Sequence, residues 1–177
     1  FDADRIVQLD KMFMCGNYGD PAAGKYTLNI YREFRKLNKD IVLGMNTNGG
    51  LQGTYWWANL ANILYKPTDY VVFSIDGLED TNHIYRKNVS WDRVMRNAEA
   101  FIAAGGSAHW DMLVYKHNQH QVEEARTMAK ELGFEFIVKN PLGFGEYEDT
   151  LSGMNVYNKD GEYEYTIWPA KFNGIKK

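Results

Sequence analysis

Short apolar segments alternate with longer segments of helical periodicity along the first 140 residues. The apolar segments are rich in β-branched and aromatic residues, a composition that favours strands. Five such strands are predicted, at residues 11–15, 41–45, 69–75, 107–115 and 134–138. Apolar positions that recur every three or four residues predict helices between them, at 25–37, 54–64, 91–104 and 119–132. Because parallel strands need a crossover between them, this alternation predicts an α/β protein with a parallel sheet.

Polar and glycine residues mark the expected ends of several helices. Thr54 and Ser90 are residue types that cap helix N-termini, and Gly133 is suited to end the last helix. Residues 46–50, which follow the second strand, are predicted to form a loop. Cys15, at the end of the first strand, is expected to be a small buried residue.

The last part of the chain has a different pattern, because Gly and Pro interrupt it repeatedly. Two short alternating segments, 154–157 and 162–167, predict a β-hairpin around the turn at 158–161. We therefore expect one domain at 1–140, followed by a linker and a small β element at 141–177.

Composition excludes several classes of protein. The chain has 177 residues with 20 Lys+Arg and 23 Asp+Glu, and its slightly acidic balance argues against nucleic acid as the main partner. No apolar run approaches the roughly 18 residues of a membrane span, and no secretory signal pattern begins the chain. The single cysteine cannot form an intrachain disulfide, so a reducing, cytoplasmic setting is expected, with no membrane partner.

Polar and glycine residues stand at the ends of the first four predicted strands, where parallel α/β proteins gather their functional groups. They are Gly16, Asn17, Gly19 and Asp20 after the first strand, Asn46 and Asn48 after the second, Ser74 and Asp76 after the third, and Lys116, His117 and Asn118 after the fourth. Each set alone is also ordinary turn chemistry, but together they predict a shared site. The loop at 16–20 could hold an ammonium group through its carbonyls and a carboxylate, whereas its spacing does not fit a phosphate loop.

Three of these segments resemble motifs of the radical S-adenosylmethionine (radical SAM) enzymes. Residues 15–21, Cys-Gly-Asn-Tyr-Gly-Asp-Pro, resemble the family's GGEP segment, and residues 46–49, Asn-Thr-Asn-Gly, its TNG segment. Residues 73–86, Phe-Ser-Ile-Asp-Gly-Leu-Glu-Asp-Thr-Asn-His-Ile-Tyr-Arg, are similar to the SIDG…H…YR segment of the SPASM/twitch subgroup. The segments occur in the family's order, and the resemblance covers roughly residues 5–140.

The resemblance implies a partial (β/α)₆ TIM-like barrel and a reaction. In the family, a [4Fe–4S] cluster held by Cys-x₃-Cys-x₂-Cys cleaves S-adenosylmethionine reductively, with electrons from an external donor, to a 5′-deoxyadenosyl radical that takes hydrogen from a substrate. That cysteine motif is absent here, so we expect a fragment that lacks the first strand, holds no metal ligands and is inactive alone. The subgroup often modifies peptides or proteins, which implies a substrate of that kind.

The resemblance also implies which residues bind the cofactor: Gly16, Asn17, Gly19, Asp20, Asn48, Ser74, Asp76 and Arg86. The loop at 16–20 would line the site of the cofactor's amino group, although aspartate replaces the family's usual glutamate there. Ser74 and Arg86 would bind the methionine carboxylate, because the planar guanidinium meets a carboxylate with two hydrogen bonds. Asn48 and Asp76 would face the ribose or the substrate. No catalytic residue is identified.

Two other interpretations remain open at this stage. One is a doubly wound nucleotide-binding sheet, whose strand order would reverse once. The other is a non-catalytic module that holds a ligand at the same strand ends. Of the remaining candidates, His109 and Asp111 share a strand face and predict a hydrogen-bonded pair without a function. His117 and His120 have a metal-like spacing, but no third ligand is evident.

Overall fold

The computed structural model describes residues 2–16, 18–141 and 153–170. Its helices are α1 (Ala3–Ile6), α2 (Thr27–Leu37), α3 (Thr54–Ile63), α4 (Asn82–Tyr85), α5 (Trp91–Ala103) and α6 (Val122–Leu132), with single 3₁₀ turns at Pro21–Ala23 and Gln119–Gln121. Its strands are β1 (Lys11–Met14), β2 (Val42–Thr47), β3 (Tyr70–Ser74), β4 (Ala108–Leu113), β5 (Glu135–Lys139), β6 (Met154–Tyr157) and β7 (Tyr163–Ile167).

The first five strands form one parallel sheet in the order β1-β2-β3-β4-β5. Each of the strands β1 to β4 is followed by a helix that crosses back over the sheet, as the alternating pattern predicts. The order does not reverse within the described residues, which argues against a doubly wound sheet. The architecture is that of a partial TIM-like barrel, and the predicted antiparallel hairpin is present as β6 and β7. The predicted fold class is therefore confirmed.

The core lies between the sheet and its helices, and aromatic rings join the two layers. Val94, Ala98 and Phe101 lie on one face of α5 and are fully buried, as their helical spacing requires. Phe73 of β3 has its ring centre 5.2 Å from that of Trp57 on α3 and 6.1 Å from that of Phe101. Edge-to-face and tilted contacts at these distances stabilise beyond the burial of area alone.

Several element boundaries differ from the sequence-based prediction. Strand β2 continues through Asn46 and Thr47, which pair with Val72 and Phe73 of β3, so the loop predicted at 46–50 begins later. Gly53, not Thr54, occupies the N-cap of α3, and Ser90 stands at the N-cap of α5 without a side-chain bond.

Two further features concern the connection between β3 and α5 and the end of α6. The segment between β3 and α5 contains the short helix α4, for which the sequence pattern predicts no helix. Gly133 ends α6 with a φ of 88°, in the left-handed region that glycine adopts readily.

A buried ion pair fastens α2 and the adjoining loops to the sheet. Arg35 of α2 is 8% exposed, and its Nη2 lies 2.5 Å from Oδ2 of the fully buried Asp69. Asp69 also accepts bonds from the backbone N–H groups of Leu43 and Lys66. Arg35 donates in addition to the carbonyl of Ile41. Each charge thus has several partners, as a buried pair requires, although Nε of Arg35 is buried without one among the described residues.

The hairpin packs against the loop that follows α4. Tyr165 donates to the carbonyl of Ile84 at 2.7 Å, and Lys87 pairs with Glu164. Residue 169 forms a bridge with Tyr115, at the end of β4. The predicted division at residue 140 stays a prediction, and most of the predicted linker, residues 142–152, lies outside the described residues, as do 171–177.

Gly44 of β2 has no room for a side chain. An added Cβ would lie 2.5 Å from the carbonyl oxygen of Tyr70 and 2.6 Å from the ring of Phe13. We expect Gly44→Ala to lower the free energy of unfolding by about 1–3 kcal/mol, the cost typical of overpacking, measured by urea denaturation. Ser107→Ala, at an exposed position just before β4, is the control. Equal stability of the two variants would contradict this account of Gly44.

Candidate functional site

A small polar cavity lies at the carboxyl ends of β1, β2 and β3. Its volume is about 150 Å³, and its walls are formed by Cys15, Gly16, Asp20, Asn46, Thr47, Asn48, Ser74 and Arg86. These residues come from three strand ends and from the loop after α4, which the parallel sheet brings to one edge. The structure therefore brings together residues that are up to 71 positions apart in the sequence.

The eight sequence-predicted site residues divide into three groups. Those that line the cavity are Gly16, Asp20, Asn48, Ser74 and Arg86. Gly19 and Asp76 are not part of its lining. Asn17 lies outside the described residues. The assignment of these residues to a cofactor remains a prediction, but five of them share one cavity wall.

Asp20 braces the loop after β1 against the end of β2. Its carboxylate accepts hydrogen bonds from the backbone N–H of Ala22, from the hydroxyl of Thr47 and from the backbone N–H of Asn48, all at 2.8–3.0 Å. The Ala22 bond caps the short 3₁₀ turn. Asp20 thus fixes the shape of the cavity as well as contributing negative charge to it.

Both glycines of this loop have a positive φ, but only Gly16 also lacks room for a side chain. Gly16 has a φ of 74°, and an added Cβ would lie 3.3 Å from Pro21 and 3.6 Å from the carbonyl oxygen of Asn46. A side chain at Gly16 would therefore be strained and would crowd the cavity wall. Gly19 has a φ of 131° with open space around it, so the backbone angle alone explains that residue.

Asp76 lies behind Arg86 and is fully buried. Its Oδ2 is 2.6 Å from Nε of Arg86, and its Oδ1 accepts a bond from the backbone N–H of Leu113. Burial raises the pKa of Asp76 above its ordinary value, while the Arg86 guanidinium and the Leu113 N–H act in the opposite sense. In this arrangement Asp76 holds and orients Arg86.

Arg86 is the cationic group of the cavity wall. Its side chain is 25% exposed, and its guanidinium lies 5.0 Å from the centre of the Tyr85 ring. Only Nε is engaged with a protein partner in the described part of the chain. The two Nη nitrogens therefore keep donors for an anionic group in the cavity.

Asn118 supports this arrangement from the loop after β4 and is fully buried. Its amide nitrogen donates to the carbonyls of Asp76 and Leu113, and its amide oxygen accepts from the backbone N–H of Tyr115. Sequence reasoning placed Asn118 among the polar strand ends but did not find this role. Its signal was weak, because a single Asn after a strand is usually turn chemistry.

Cys15 and Thr47 are the cavity residues that the sequence did not assign to a site. The prediction that Cys15 is buried is wrong: it is exposed and forms part of the cavity wall. The reason is that β1 ends at Met14, so Cys15 belongs to the loop rather than to the packed strand. Thr47 lies within the segment that resembles TNG, and the pattern gave no reason to single it out.

His109, His117 and His120 are not part of the cavity lining. His109 lies 3.3 Å from Glu135 and stacks on Tyr70, so the predicted His109–Asp111 pair is wrong. Burial lowers the pKa of His117, and the neighbouring His83 and His120 lower it further.

Within residues 2–16, 18–141 and 153–170, no group of three or more His, Cys, Asp or Glu side chains is placed to hold a metal ion. None of the helices in that part of the chain has the length and apolar character needed to cross a bilayer.

Comparison with known proteins identifies relatives of the fold. No protein-family model matches the chain, and no curated protein matches its sequence. Among solved structures, Streptococcus suis SuiB bound to S-adenosylmethionine superposes with a TM-score of 0.61 at 21% identity, covering 78% of this chain and 31% of SuiB. The structure of anSMEcpe with bound AdoMet (S-adenosylmethionine) superposes with a TM-score of 0.60 at 20% identity, covering 84% of this chain and 42% of anSMEcpe.

A third structure, anSMEcpe with bound AdoMet and Cp18Cys peptide, gives a TM-score of 0.59 at 21% identity and covers 84% of this chain and 45% of that one. At these identities the similarity shows that the fold is shared. The chain spans between about a third and just under half of the length of these solved proteins.

Proposed function

We propose that this chain is the S-adenosylmethionine-binding part of a radical SAM enzyme of the SPASM/twitch type. The observation that carries the proposal is the cavity itself, where all three segments that resemble the family's motifs meet. The shared fold adds support, because structures with the same fold contain AdoMet. The resemblance of these segments to motifs of an enzyme family favours this function over a module that only holds a ligand at the same strand ends, and the continuous strand order disfavours a doubly wound sheet.

The cavity suits the amino-acid end of S-adenosylmethionine. That end carries an ammonium and a carboxylate, and the cavity offers the carboxylate of Asp20 together with the guanidinium of Arg86 and the hydroxyl of Ser74. At about 150 Å³, the cavity is smaller than the roughly 300–1,000 Å³ typical of a site that encloses a whole small molecule. It is therefore sized for the amino-acid end, and the adenosyl group would lie outside it, towards Asn48 and the open edge of the sheet.

The residues of this chain do not fit a [4Fe–4S] cluster. The whole sequence contains one cysteine, and such clusters need several thiolates. The proposal therefore assigns the cluster ligands to residues outside these 177, together with the contact to an electron donor. The work of this chain is to bind the cofactor's amino-acid end, to orient it and to exclude water around it.

Each supporting residue has a defined part in that work. Asp76 holds Arg86 by its Nε, so the Nη edge keeps one orientation. Thr47 and Asp20 hold the loop at 16–20 against β2. The substrate, for which we propose a peptide or a protein, would approach over the same carboxyl ends. The anSMEcpe structure with AdoMet and a peptide is consistent with that substrate class.

Alkylation of Cys15 tests the proposal, because the chain's single cysteine lies in the cavity wall and is exposed. We expect S-adenosylmethionine at millimolar concentration to slow the reaction of Cys15 with iodoacetamide several-fold. Methionine should also protect, since the cavity is sized for the amino-acid end, whereas adenosine should not. An alkylation rate that saturating S-adenosylmethionine leaves unchanged would contradict the proposed function.

Ser74→Ala should weaken this protection. The hydroxyl of Ser74 lies in the cavity wall, and loss of one hydrogen bond to a charged carboxylate, about 1.5–3 kcal/mol, corresponds to a roughly 10- to 100-fold loss of affinity. The dissociation constant is read from the concentration of S-adenosylmethionine that half-protects Cys15. Ser107→Ala, an exposed serine at the other end of the sheet, is the control and should bind like the wild type. If both variants bind equally well, Ser74 does not contact the cofactor.

A further inference from the structure

A second cavity lies at the carboxyl ends of β4 and β5. Its volume is about 550 Å³, within the range of about 300–1,000 Å³ typical of small-molecule sites. Its walls include Tyr85, Leu113, Tyr115, Pro141 and Met154, so most of the surface it offers is apolar or aromatic. Among the described residues, Lys139 is the one charged side chain in its lining.

The ammonium of Lys139 is held in place by Asp111. The Asp111 side chain is 10% exposed and pairs through Oδ2 with Lys139, which is 52% exposed. The other oxygen, Oδ1, is buried and has no partner in the described part of the chain, so Lys139 is the sole counter-charge bonded to this carboxylate. The pair therefore buries its negative end and presents its positive end to the cavity.

The second cavity adjoins the first. Asp111 is the register partner of Ser74, which lines the first cavity, and adjacent strands place paired residues side by side. Tyr85, in the wall of the second cavity, packs beneath the guanidinium of Arg86, in the wall of the first. A ligand in the second cavity would thus lie next to a ligand in the first.

We propose that the second cavity is a substrate subsite and that Lys139 is its specificity-determining residue, selecting an apolar or aromatic group that carries an anionic oxygen. The apolar body would fill the space between the two tyrosines and Met154. The anionic oxygen would accept a hydrogen bond from the ammonium that Asp111 positions. The identification of this ligand as a substrate rests on the proposed function, whereas the preference for an anionic ligand rests on this cavity alone.

Two probes that differ only in charge test the preference. N-acetyl-L-phenylalanine carries a carboxylate, and N-acetyl-L-phenylalaninamide carries a neutral amide in its place. They are titrated into the ¹⁵N-labelled 177-residue chain, and binding is followed by NMR shifts at the backbone amides of Leu113, Tyr115 and Met154. We expect the acid to bind about fivefold to tenfold more tightly than the amide, as a charge-assisted bond predicts.

Lys139→Met should abolish this difference and leave the amide within twofold of its wild-type affinity. A purely structural role for Lys139 would instead weaken both probes equally. Because Lys139→Met leaves Asp111 unpaired, the double variant Asp111→Asn with Lys139→Gln is tested as well, since it keeps a neutral hydrogen-bonded pair. Lys130→Met, on the exposed surface of α6, is the control and should keep the wild-type preference.

Three outcomes would overturn the proposal. They are equal affinity of the two probes for the wild type, an unchanged preference in the double variant, and shifts that do not map to the cavity residues. The Cys15 protection assay is run on the same samples. If the second cavity selects the charged probe but S-adenosylmethionine does not protect Cys15, the proposed function is contradicted and the binding preference stands. If S-adenosylmethionine protects Cys15 but the two probes bind equally, the binding preference is contradicted and the proposed function stands.

Discussion

Replacing Asp69 by asparagine is expected to lower the free energy of unfolding by about 3–5 kcal/mol, the cost of leaving one partner of a buried ion pair uncompensated. Asp69 is fully buried, and its carboxylate serves Arg35 and the backbone N–H groups of Leu43 and Lys66. Asparagine keeps an acceptor for one of these groups but leaves the guanidinium of Arg35 without its counter-charge. Urea denaturation of the two proteins measures the difference.

Asp40 offers a matched control, because it also pairs with a cation near the start of β2. Its side chain is fully exposed and lies 3.7 Å from Lys66. Exposed pairs of this kind contribute little, since water and salt screen them. We expect Asp40→Asn to unfold like the wild type. If Asp69→Asn unfolds like Asp40→Asn, the buried pair does not fasten α2 to the sheet.

The fold could be predicted because its elements repeat a simple pattern. A buried parallel strand such as β3 needs a continuous apolar run, and α5 needs apolar residues at helical spacing. These requirements come from burial alone, so they are visible in the sequence. The end of β2 could not be predicted in this way. Asn46 and Thr47 still pair with β3, but both border the cavity, and the hydroxyl of Thr47 donates to Asp20.

The candidate site could be predicted as a set of residues but not as a set of contacts. Parallel strands bring their carboxyl ends to one edge, so the convergence of Asp20, Asn48, Ser74 and Arg86 followed from the order of the elements. The burial of Asp76 behind Arg86 did not follow. It depends on the loop that contains α4, whose path is set by tertiary bonds such as that from the Leu78 N–H to the Gln121 side chain.

Arg86→Met is expected to weaken binding of S-adenosylmethionine by roughly 10- to 100-fold, because a hydrogen bond to a charged group contributes about 1.5–3 kcal/mol. Methionine retains the length and much of the apolar stem of arginine, but it has no donors. Protection of Cys15 measures the affinity, as for the wild type. Arg86→Lys keeps the positive charge and should bind more tightly than Arg86→Met. Equal affinity of the wild type and Arg86→Met would contradict the assignment of Arg86 to the cofactor carboxylate.

The same variant should make stability depend on pH, because it leaves Asp76 buried without a cation. Burial already raises the pKa of Asp76, and removal of the Arg86 charge raises it further. A carboxyl group whose pKa is higher in the folded than in the unfolded protein stabilises the fold below its unfolded pKa of about 3.9 and loses that effect as pH rises.

The free energy of unfolding of Arg86→Met should therefore be about 3–5 kcal/mol lower than that of the wild type at pH 8. The loss should be smaller at pH 5, where more of Asp76 is protonated. The wild type and Arg86→Lys, measured by urea denaturation at both pH values, correct for other titrating groups. A deficit of the same size at both pH values would show that Arg86 does not hold Asp76 in its charged form.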